Sequence, residues 1–256
     1  MIHFRANLLK PLLTALAILF VPGPALAAGD IAKETIAFRG RGRTYYLYAP
    51  AAPAPAPMIL LLHGTGGNGL YMAQMWEDVA AREGIALVAP DSLHSDAGWD
   101  LRVDGPDYIR AVLAQVGAAH AIDSRRIYLF GQSGGAVYAL ELGMLESEFF
   151  AAVAVHAGSW RHPDEYAAMD YAKRKIPVSI SIGDKDEYFS MESVQNTQRV
   201  LTLRGFPIAV NILKDRVHRY SDVPADFNAG VWNFLRSNVL PGDPKYADYY
   251  YRQPLR

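Results

Sequence analysis

Short apolar runs alternate with helical stretches along most of this chain, and this alternation constrains the fold more than any other feature of the sequence. The run at 58–62 (MILLL) is apolar at every position, as expected of a strand that is buried on both faces of a sheet. Buried strands that are joined by helices form mainly parallel sheets. The pattern predicts strands at 35–39, 43–48, 58–62, 85–89, 126–130, 150–155, 178–182 and 208–213, and helices at 70–83, 106–119, 134–147, 190–204 and 222–238.

The first two predicted strands differ from the rest because only the turn Gly40-Arg41-Gly42 separates them, which indicates an antiparallel hairpin. Residues 50–57 (PAAPAPAP) are predicted to be an extended surface linker, since proline donates no backbone hydrogen bond. We therefore expect an α/β fold, with a mostly parallel twisted sheet, helices on both faces and an antiparallel N-terminal hairpin.

The N-terminus has the three-part layout of a secretory signal peptide. A basic start precedes the apolar stretch 12–21, and the small-residue pattern Ala25-Leu26-Ala27 follows. The apolar stretch is shorter than the roughly 20 residues that a membrane-spanning helix needs. We predict that residues 1–27 are removed, that 28–256 form a single domain, and that the mature protein is secreted or periplasmic, with no stable membrane anchor after cleavage.

Composition excludes several classes of function. The chain has 256 residues, a formal net charge of −1 and no cysteine. The near-neutral charge gives no basis for binding nucleic acid. The absence of cysteine excludes a thiol nucleophile, a disulfide framework and thiolate metal sites. The histidines lack the spacing of a metal site, so we expect neither a metal nor an organic cofactor.

A candidate nucleophile lies in the sequence Gly131-Gln132-Ser133-Gly134-Gly135, which matches Gly-x-Ser-x-Gly. The motif stands between a predicted strand (RIYLF) and a predicted helix, and this is the setting of a nucleophile elbow. Glycines at both ends allow the tight turn that leaves the serine hydroxyl exposed at the edge of the sheet. We therefore predict that Ser133 is a catalytic nucleophile.

A second glycine-rich loop, His63-Gly64-Thr65-Gly66-Gly67, directly follows the strand MILLL. Ester hydrolysis passes through an oxyanion that needs two backbone N–H donors. One donor is expected from Gly134, the residue after the nucleophile, and the other from this loop, at Thr65. We interpret His63 as a buried residue that shapes the loop.

A serine nucleophile needs a general base and an orienting carboxylate. On folds with a nucleophile elbow, these follow the serine along the chain in the order acid, then histidine. The predicted strand VSISI ends in a loop with three carboxylates. Asp186 is the preferred acid because it lies deeper in the loop beyond the Gly183 turn and could reach across to the histidine loop, with Asp184 second and Glu187 third. His218 lies in the last strand-to-helix loop and is the predicted base.

These motifs together resemble the α/β-hydrolase superfamily. Within it the chain is similar to secreted esterases that include polyhydroxybutyrate depolymerase-like proteins and feruloyl or acetylxylan esterases. The resemblance implies a triad of Ser133, Asp186 and His218 with oxyanion donors at Thr65 and Gly134, and it implies a serine-dependent carboxylic ester hydrolase. The segments that carry it are LLLHGTGGNG, PDSLHSDAGWD, RIYLFGQSGGA, GDKDEYF and His218.

The expected substrate is a small-molecule, polyester or carbohydrate-linked ester. The connection 158–177 is too short for a large helical lid, and Trp99, Trp160 and Tyr188 are candidates for stacking on a sugar or phenolic ester. A serine peptidase on the same fold, an acyltransferase and a catalytically inactive binding protein are the alternative hypotheses.

Overall fold

A computed structural model of the chain describes residues 29–51 and 55–247. The strands β1 to β8 within these residues are Ile31–Phe38, Arg41–Tyr48, Ala56–Leu62, Ala86–Pro90, Ile122–Gln132, Val153–His156, Val178–Gly183 and Ile208–Leu213. The helices α1 to α7 are Gly69–Glu83, Leu101–Asp104, Pro106–Ala119, Gly134–Leu145, Pro163–Tyr166, Met191–Leu203 and Phe227–Arg236. Short 3₁₀ helices lie at Ser95–Ala97, Ala167–Tyr171 and Tyr220–Asp222.

The strands form one eight-stranded sheet in the order β1-β2-β4-β3-β5-β6-β7-β8. β1 pairs antiparallel with β2, and β2 pairs antiparallel with β4. Every other pairing is parallel. The predicted fold class is therefore confirmed, including the antiparallel hairpin at the start of the chain.

Helices cover both faces of the sheet, and β3 shows why. Its side chains alternate between two apolar clusters, with Leu60 in one and Leu61 in the other. The first cluster contains buried residues of α3, α4 and α6, and the second contains those of α1 and α7. Because both faces are covered, β3 is buried along its whole length, as the continuous apolar run predicted.

Several boundaries differ from the sequence prediction, and proline has a part in two of them. Ala56 and Pro57 belong to β3, not to the predicted linker, and the pairing with β5 is irregular at this point because Pro57 has no N–H to donate. The last helix begins at Phe227 rather than near residue 222. Pro224 keeps the preceding residue, Val223, in an extended conformation that interrupts the helix.

The two ends of the chain are described to different extents. The predicted signal peptide, residues 1–27, lies outside the described residues. At the C-terminal end, the ring of Tyr246 stacks on Phe149 at 3.9 Å, and the guanidinium of Arg110 lies 4.2 Å from the Tyr246 ring centroid. The tail therefore docks on the fold as far as residue 247. None of the helices in the described ranges has the length and apolar character required to cross a membrane.

Candidate active site

Ser133 lies on a tight turn between β5 and α4 with a strained backbone. Its φ of 55° is in the left-handed region, where a residue with a side chain is uncommon. A Cβ at Gly131 would overlap the carbonyl oxygen of Gly135, and one at Gly135 would overlap the carbonyl oxygens of Leu62 and His63. The two outer glycines of the motif are therefore required for the helix to pack against the strands.

The structure brings the three predicted triad residues together from three separate loops. His218 Nε2 lies 2.8 Å from Ser133 Oγ. On the other side of the ring, His218 Nδ1 lies 2.9 Å from Asp186 Oδ2 and 3.1 Å from Oδ1. With Asp186 accepting from Nδ1–H, Nε2 is left as an acceptor for the serine proton. The arrangement has the geometry that proton removal from Ser133 requires.

The three candidate carboxylates have different partners. Asp186 alone contacts the imidazole, and it also accepts hydrogen bonds from the N–H groups of Tyr188 and Phe189 at 2.9 Å. Burial acts to raise the pKa of Asp186, but these hydrogen bonds and the one from His218 outweigh it and lower the pKa below its usual value. Asp184 instead accepts from the N–H of Asp215, and Glu187 from the backbone N–H of His218.

Thr65 and Gly134 lie close together beside the nucleophile. A Cβ built on Gly134 would lie 3.4 Å from the backbone nitrogen of Thr65. Gly134 is the first residue of α4, so its N–H has no acceptor within the helix. Both residues line the same cleft as Ser133. The two N–H groups therefore come from the positions that an oxyanion site requires.

The glycine-rich loop after β3 is held by the segment 92–99, a support that the sequence analysis did not identify. Ser92 donates its N–H to His63 Nε2 at 3.1 Å, so the His63 proton is on Nδ1, which donates to the carbonyl oxygen of Gly64 at 2.8 Å. Burial lowers the pKa of His63 and keeps the ring neutral. Gly66 donates its N–H to the carbonyl oxygen of Ser95 at 2.7 Å. His63 therefore shapes the loop, in agreement with its interpretation from sequence.

A second buried histidine, His156, lies at the end of β6 directly beside the nucleophile. Its carbonyl oxygen accepts a 3.0 Å hydrogen bond from the N–H of Ser133. Neither ring nitrogen has a hydrogen-bond partner among the described residues, and the ring packs against Tyr220 and Phe227. Burial, reinforced by the nearby His218, lowers its pKa to about 4. No sequence signal distinguished this residue from the other histidines.

An open cleft of about 890 Å³ lies over the triad. Of the three aromatic residues predicted to contact substrate, only Tyr188 lines the cleft. This residue is 66% exposed, and its ring centroid lies 4.6 Å from that of His218. Trp160 is fully buried, because its loop folds inward and its ring packs against Tyr166. Trp99 is partly buried between His63 and Tyr138, beneath the glycine-rich loop. The substrate-contact prediction is therefore wrong for Trp160, and Trp99 contacts the glycine-rich loop instead of lining the cleft.

The alpha/beta hydrolase family model matches residues 59–255. The chain belongs to the alpha/beta hydrolase family. The chain is also similar to the bifunctional acetylxylan esterase/xylanase XynS20E of Neocallimastix patriciarum, with 27% identity over 140 residues, which cover 54% of this chain. The matched part is only 20% of that longer protein.

Solved structures of hydrolases share the fold. A thermostable esterase superposes with a TM-score of 0.66 at 17% identity, covering 83% of this chain and 64% of the other. A ferulic acid esterase superposes with a TM-score of 0.61 at 15% identity, covering 80% and 96%. The resemblance to α/β-hydrolase esterases that was stated from the sequence is confirmed by these matches.

In this hydrolase, each predicted triad residue, and the predicted oxyanion donor Thr65, follows the carboxyl end of a strand. Thr65 follows β3, Ser133 follows β5, Asp186 follows β7 and His218 follows β8. Since these strands are parallel, their carboxyl ends meet at one edge of the sheet, which is where ligands bind in open α/β sheets. Within the described ranges, no group of three or more histidine or acidic side chains is arranged to hold a metal ion.

Proposed function

We propose that this hydrolase cleaves carboxylic esters through an acyl-enzyme on Ser133. The observation that carries the proposal is the 2.8 Å contact between His218 Nε2 and Ser133 Oγ, with Asp186 bonded to the opposite ring nitrogen. Nucleophile, base and orienting acid are thus within hydrogen-bond reach of one another, as nucleophilic catalysis by serine requires.

The reaction would proceed in two halves. His218 takes the proton of Ser133 as Oγ attacks the ester carbonyl, and Asp186 stabilises the charged imidazole. The N–H groups of Thr65 and Gly134 bind the oxyanion. As the intermediate collapses, the alcohol leaves with the proton from His218. Water then attacks the acyl-enzyme by the same route, which releases the acid and restores Ser133.

The substrate class that we propose is a small-molecule, polyester or carbohydrate-linked ester. Two observations support it. The cleft is open above Ser133 and is lined on one side by the exposed ring of Tyr188, which offers a face for a sugar or an aromatic acid. Two proteins that this chain is similar to are named as an acetylxylan esterase/xylanase and a ferulic acid esterase.

The test is hydrolysis of p-nitrophenyl esters, from acetate to decanoate, by the purified protein and by Ser133→Ala. The variant is expected to lower kcat on the order of 10⁴-fold or more. The matched control is Ser221→Ala, an exposed serine near His218, which should keep its rate. Labelling of Ser133 by a fluorophosphonate without ester hydrolysis would favour the peptidase hypothesis, and no labelling would favour an inactive binding protein.

We also propose that the mature protein is exported and forms one domain over residues 28–256. The layout of residues 1–27 supports export. A single sheet that includes strands from Ile31 to Leu213 supports one domain. Protein recovered from the periplasm or the medium should begin at Ala28 and unfold in one cooperative transition. Recovery of the chain with Met1 in the cytoplasmic fraction would contradict export.

A further inference from the structure

The segment that follows β6 is held tightly against the nucleophile and leads one charged side chain into the cleft. Ala157 has a φ of 52°, an uncommon conformation for a residue with a Cβ. A Cβ at Gly158 would overlap the side chain of Ala136 and lie 3.0 Å from the carbonyl oxygen of Ser133. Trp160 is buried, and Arg161, the next residue, is exposed and lines the cleft with Ser133.

The backbone around Arg161 is fixed from both sides. Trp160 donates its N–H to Thr197 Oγ1 at 3.1 Å. The Glu165 carboxylate accepts hydrogen bonds from the backbone N–H groups of Arg161 and His162, and so it binds the main chain at the start of α5. The Arg161 side chain therefore projects from a rigid point beside the triad.

The Arg161 guanidinium lies over the ring of Phe189, 4.4 Å from the centroid. A guanidinium that stacks on an aromatic face keeps the N–H donors on its edge available, and these donors match the two oxygens of a carboxylate. Phe189 is itself buried and adjacent to the acid loop. The stacking thus holds the Arg161 guanidinium in the cleft that contains Ser133. The guanidinium N–H groups stay free to donate to a ligand, because the contact with Phe189 uses only the flat face.

Arg161 differs from the other cations that line the cleft. Lys185 forms an ion pair with Asp215 at 2.7 Å, and Arg219 forms one with Asp222 at 3.1 Å. No carboxylate of the described residues lies within ion-pair distance of the Arg161 guanidinium. The one carboxylate in the cleft lining, Glu187, accepts the backbone N–H of His218. Among the residues that the structure describes, Arg161 is therefore the cation of the cleft that has no anionic partner.

We propose that Arg161 binds a carboxylate carried by the ester substrate, so that the enzyme prefers anionic esters to neutral ones. This inference rests on the proposed function. The carboxylate belongs either to the acyl group, as in a monoester of a dicarboxylic acid, or to the alcohol, as in an acylated hydroxy acid. Both sources present the same planar anion to the guanidinium, and two pairs of substrates distinguish them.

For the acyl side, the pair is mono-p-nitrophenyl adipate and its methyl ester, p-nitrophenyl methyl adipate. For the alcohol side, the pair is 4-acetoxybenzoate and 4-acetoxybenzamide. The quantity measured is the ratio of kcat/KM for the anionic member to that for the neutral member. Comparing this ratio between wild type and Arg161→Gln cancels the intrinsic reactivity of the two esters.

In one of the two pairs, we expect Arg161→Gln to lower the ratio about tenfold, because the variant loses one charge-assisted hydrogen bond to the substrate carboxylate. Arg161→Lys should restore part of it, and 0.5 M NaCl should reduce the wild-type ratio. The matched control is Arg219→Gln, which removes a paired cation from the same cleft and should change the ratio by less than about twofold.

An unchanged ratio in both pairs for Arg161→Gln, with the variant folded and labelled by a fluorophosphonate, would overturn the inference. The inference would also be overturned if Arg219→Gln lowered the ratio as much as Arg161→Gln does. The preference for anionic esters would then come from the overall positive charge of the cleft and not from Arg161. Failure of the proposed function is distinguishable, since wild type would then hydrolyse neither the neutral nor the anionic members.

Discussion

The indole N–H of Trp99 donates a 2.8 Å hydrogen bond to the carbonyl oxygen of His63. The same indole stacks on the ring of Tyr138 at 5.0 Å, and Tyr138 is a buried residue of α4. Trp99 therefore connects the glycine-rich loop after β3 to the helix that begins at the nucleophile. Trp99 thereby helps to fix the position of Thr65, one proposed oxyanion donor, relative to Gly134, the other.

We predict that Trp99→Phe lowers kcat about 10- to 100-fold, less than the direct loss of an oxyanion donor. KM should change little, because Trp99 does not line the cleft and acts on the position of the loop. Steady-state kinetics with p-nitrophenyl butyrate measures both constants. The control is Trp232→Phe, which removes an indole N–H bonded to Glu83, a pair that does not line the cleft. A rise in KM with an unchanged kcat would contradict this role.

The choice among the three acidic residues is testable by amide substitution. Asp186→Asn is expected to lower kcat on the order of 10³- to 10⁴-fold, because an amide that donates to Nδ1 favours the wrong tautomer of His218. Asp184→Asn and Glu187→Gln serve as controls and should each cost less than about tenfold, since neither carboxylate contacts the imidazole. Equal losses in all three variants would indicate a general charge effect instead.

We predict that Glu141 on α4 makes the free energy of unfolding depend on pH. Burial, reinforced by the Glu165 carboxylate, raises its pKa to about 7. Since the folded state then holds this proton more tightly than the unfolded state, the free energy of unfolding falls as pH rises from about 4.5 to about 7. Glu141→Gln should flatten this change and stabilise the protein at pH 8 by about 1 to 3 kcal/mol.

The measurement for Glu141 is urea unfolding at pH 5 and pH 8. Glu192→Gln, an exposed substitution on α6, is the matched control and should leave the pH dependence as in wild type. A Glu141→Gln protein with the wild-type difference between the two pH values would show that this carboxyl is not responsible.

Trp160 and Tyr188 should respond to truncation in opposite ways. Trp160→Ala is expected to lower the free energy of unfolding by about 3 to 5 kcal/mol, because it removes a fully buried ring. Tyr188→Ala should change stability by less than about 0.5 kcal/mol but raise KM for aromatic esters, since its exposed ring lines the cleft. Denaturant unfolding and kinetics on p-nitrophenyl and feruloyl esters separate the two effects.

Much of the fold could be predicted because its strands and main helices have strong local patterns. The helix predicted at 106–119 is α3, Pro106–Ala119, and its apolar positions, such as Val112 and Val116, are buried as the spacing indicated. The short helices Leu101–Asp104 and Pro163–Tyr166 were not predicted, since four residues show no periodicity. The second one begins with a local capping box, in which the Glu165 carboxylate accepts a hydrogen bond from the backbone N–H of His162.

The order of motifs along the chain was enough to indicate which residues form the candidate site. Gly-x-Ser-x-Gly between a strand and a helix, and a histidine after the last strand, are local signals that require specific turns. The choice of Asp186 over Asp184 was weaker, because two residues in one loop differ only in how the loop folds. The prediction for Trp160 was wrong for the same reason: sequence placed the residue in a loop but not the direction of its side chain.

The sequence by itself determined the alternation of strands and helices, which follows from local periodicity, and the elbow at Ser133, which follows from glycine geometry. It also determined the edge of the sheet where the candidate site lies, because that edge follows from the parallel direction of the strands. Only the tertiary structure decided which carboxylate contacts His218 and that Trp99 supports the glycine-rich loop. It also decided that Arg161 lines the cleft with no anionic partner in the described part of the chain. Each of these depends on contacts between segments far apart in the chain, whose side-chain directions no local pattern encodes.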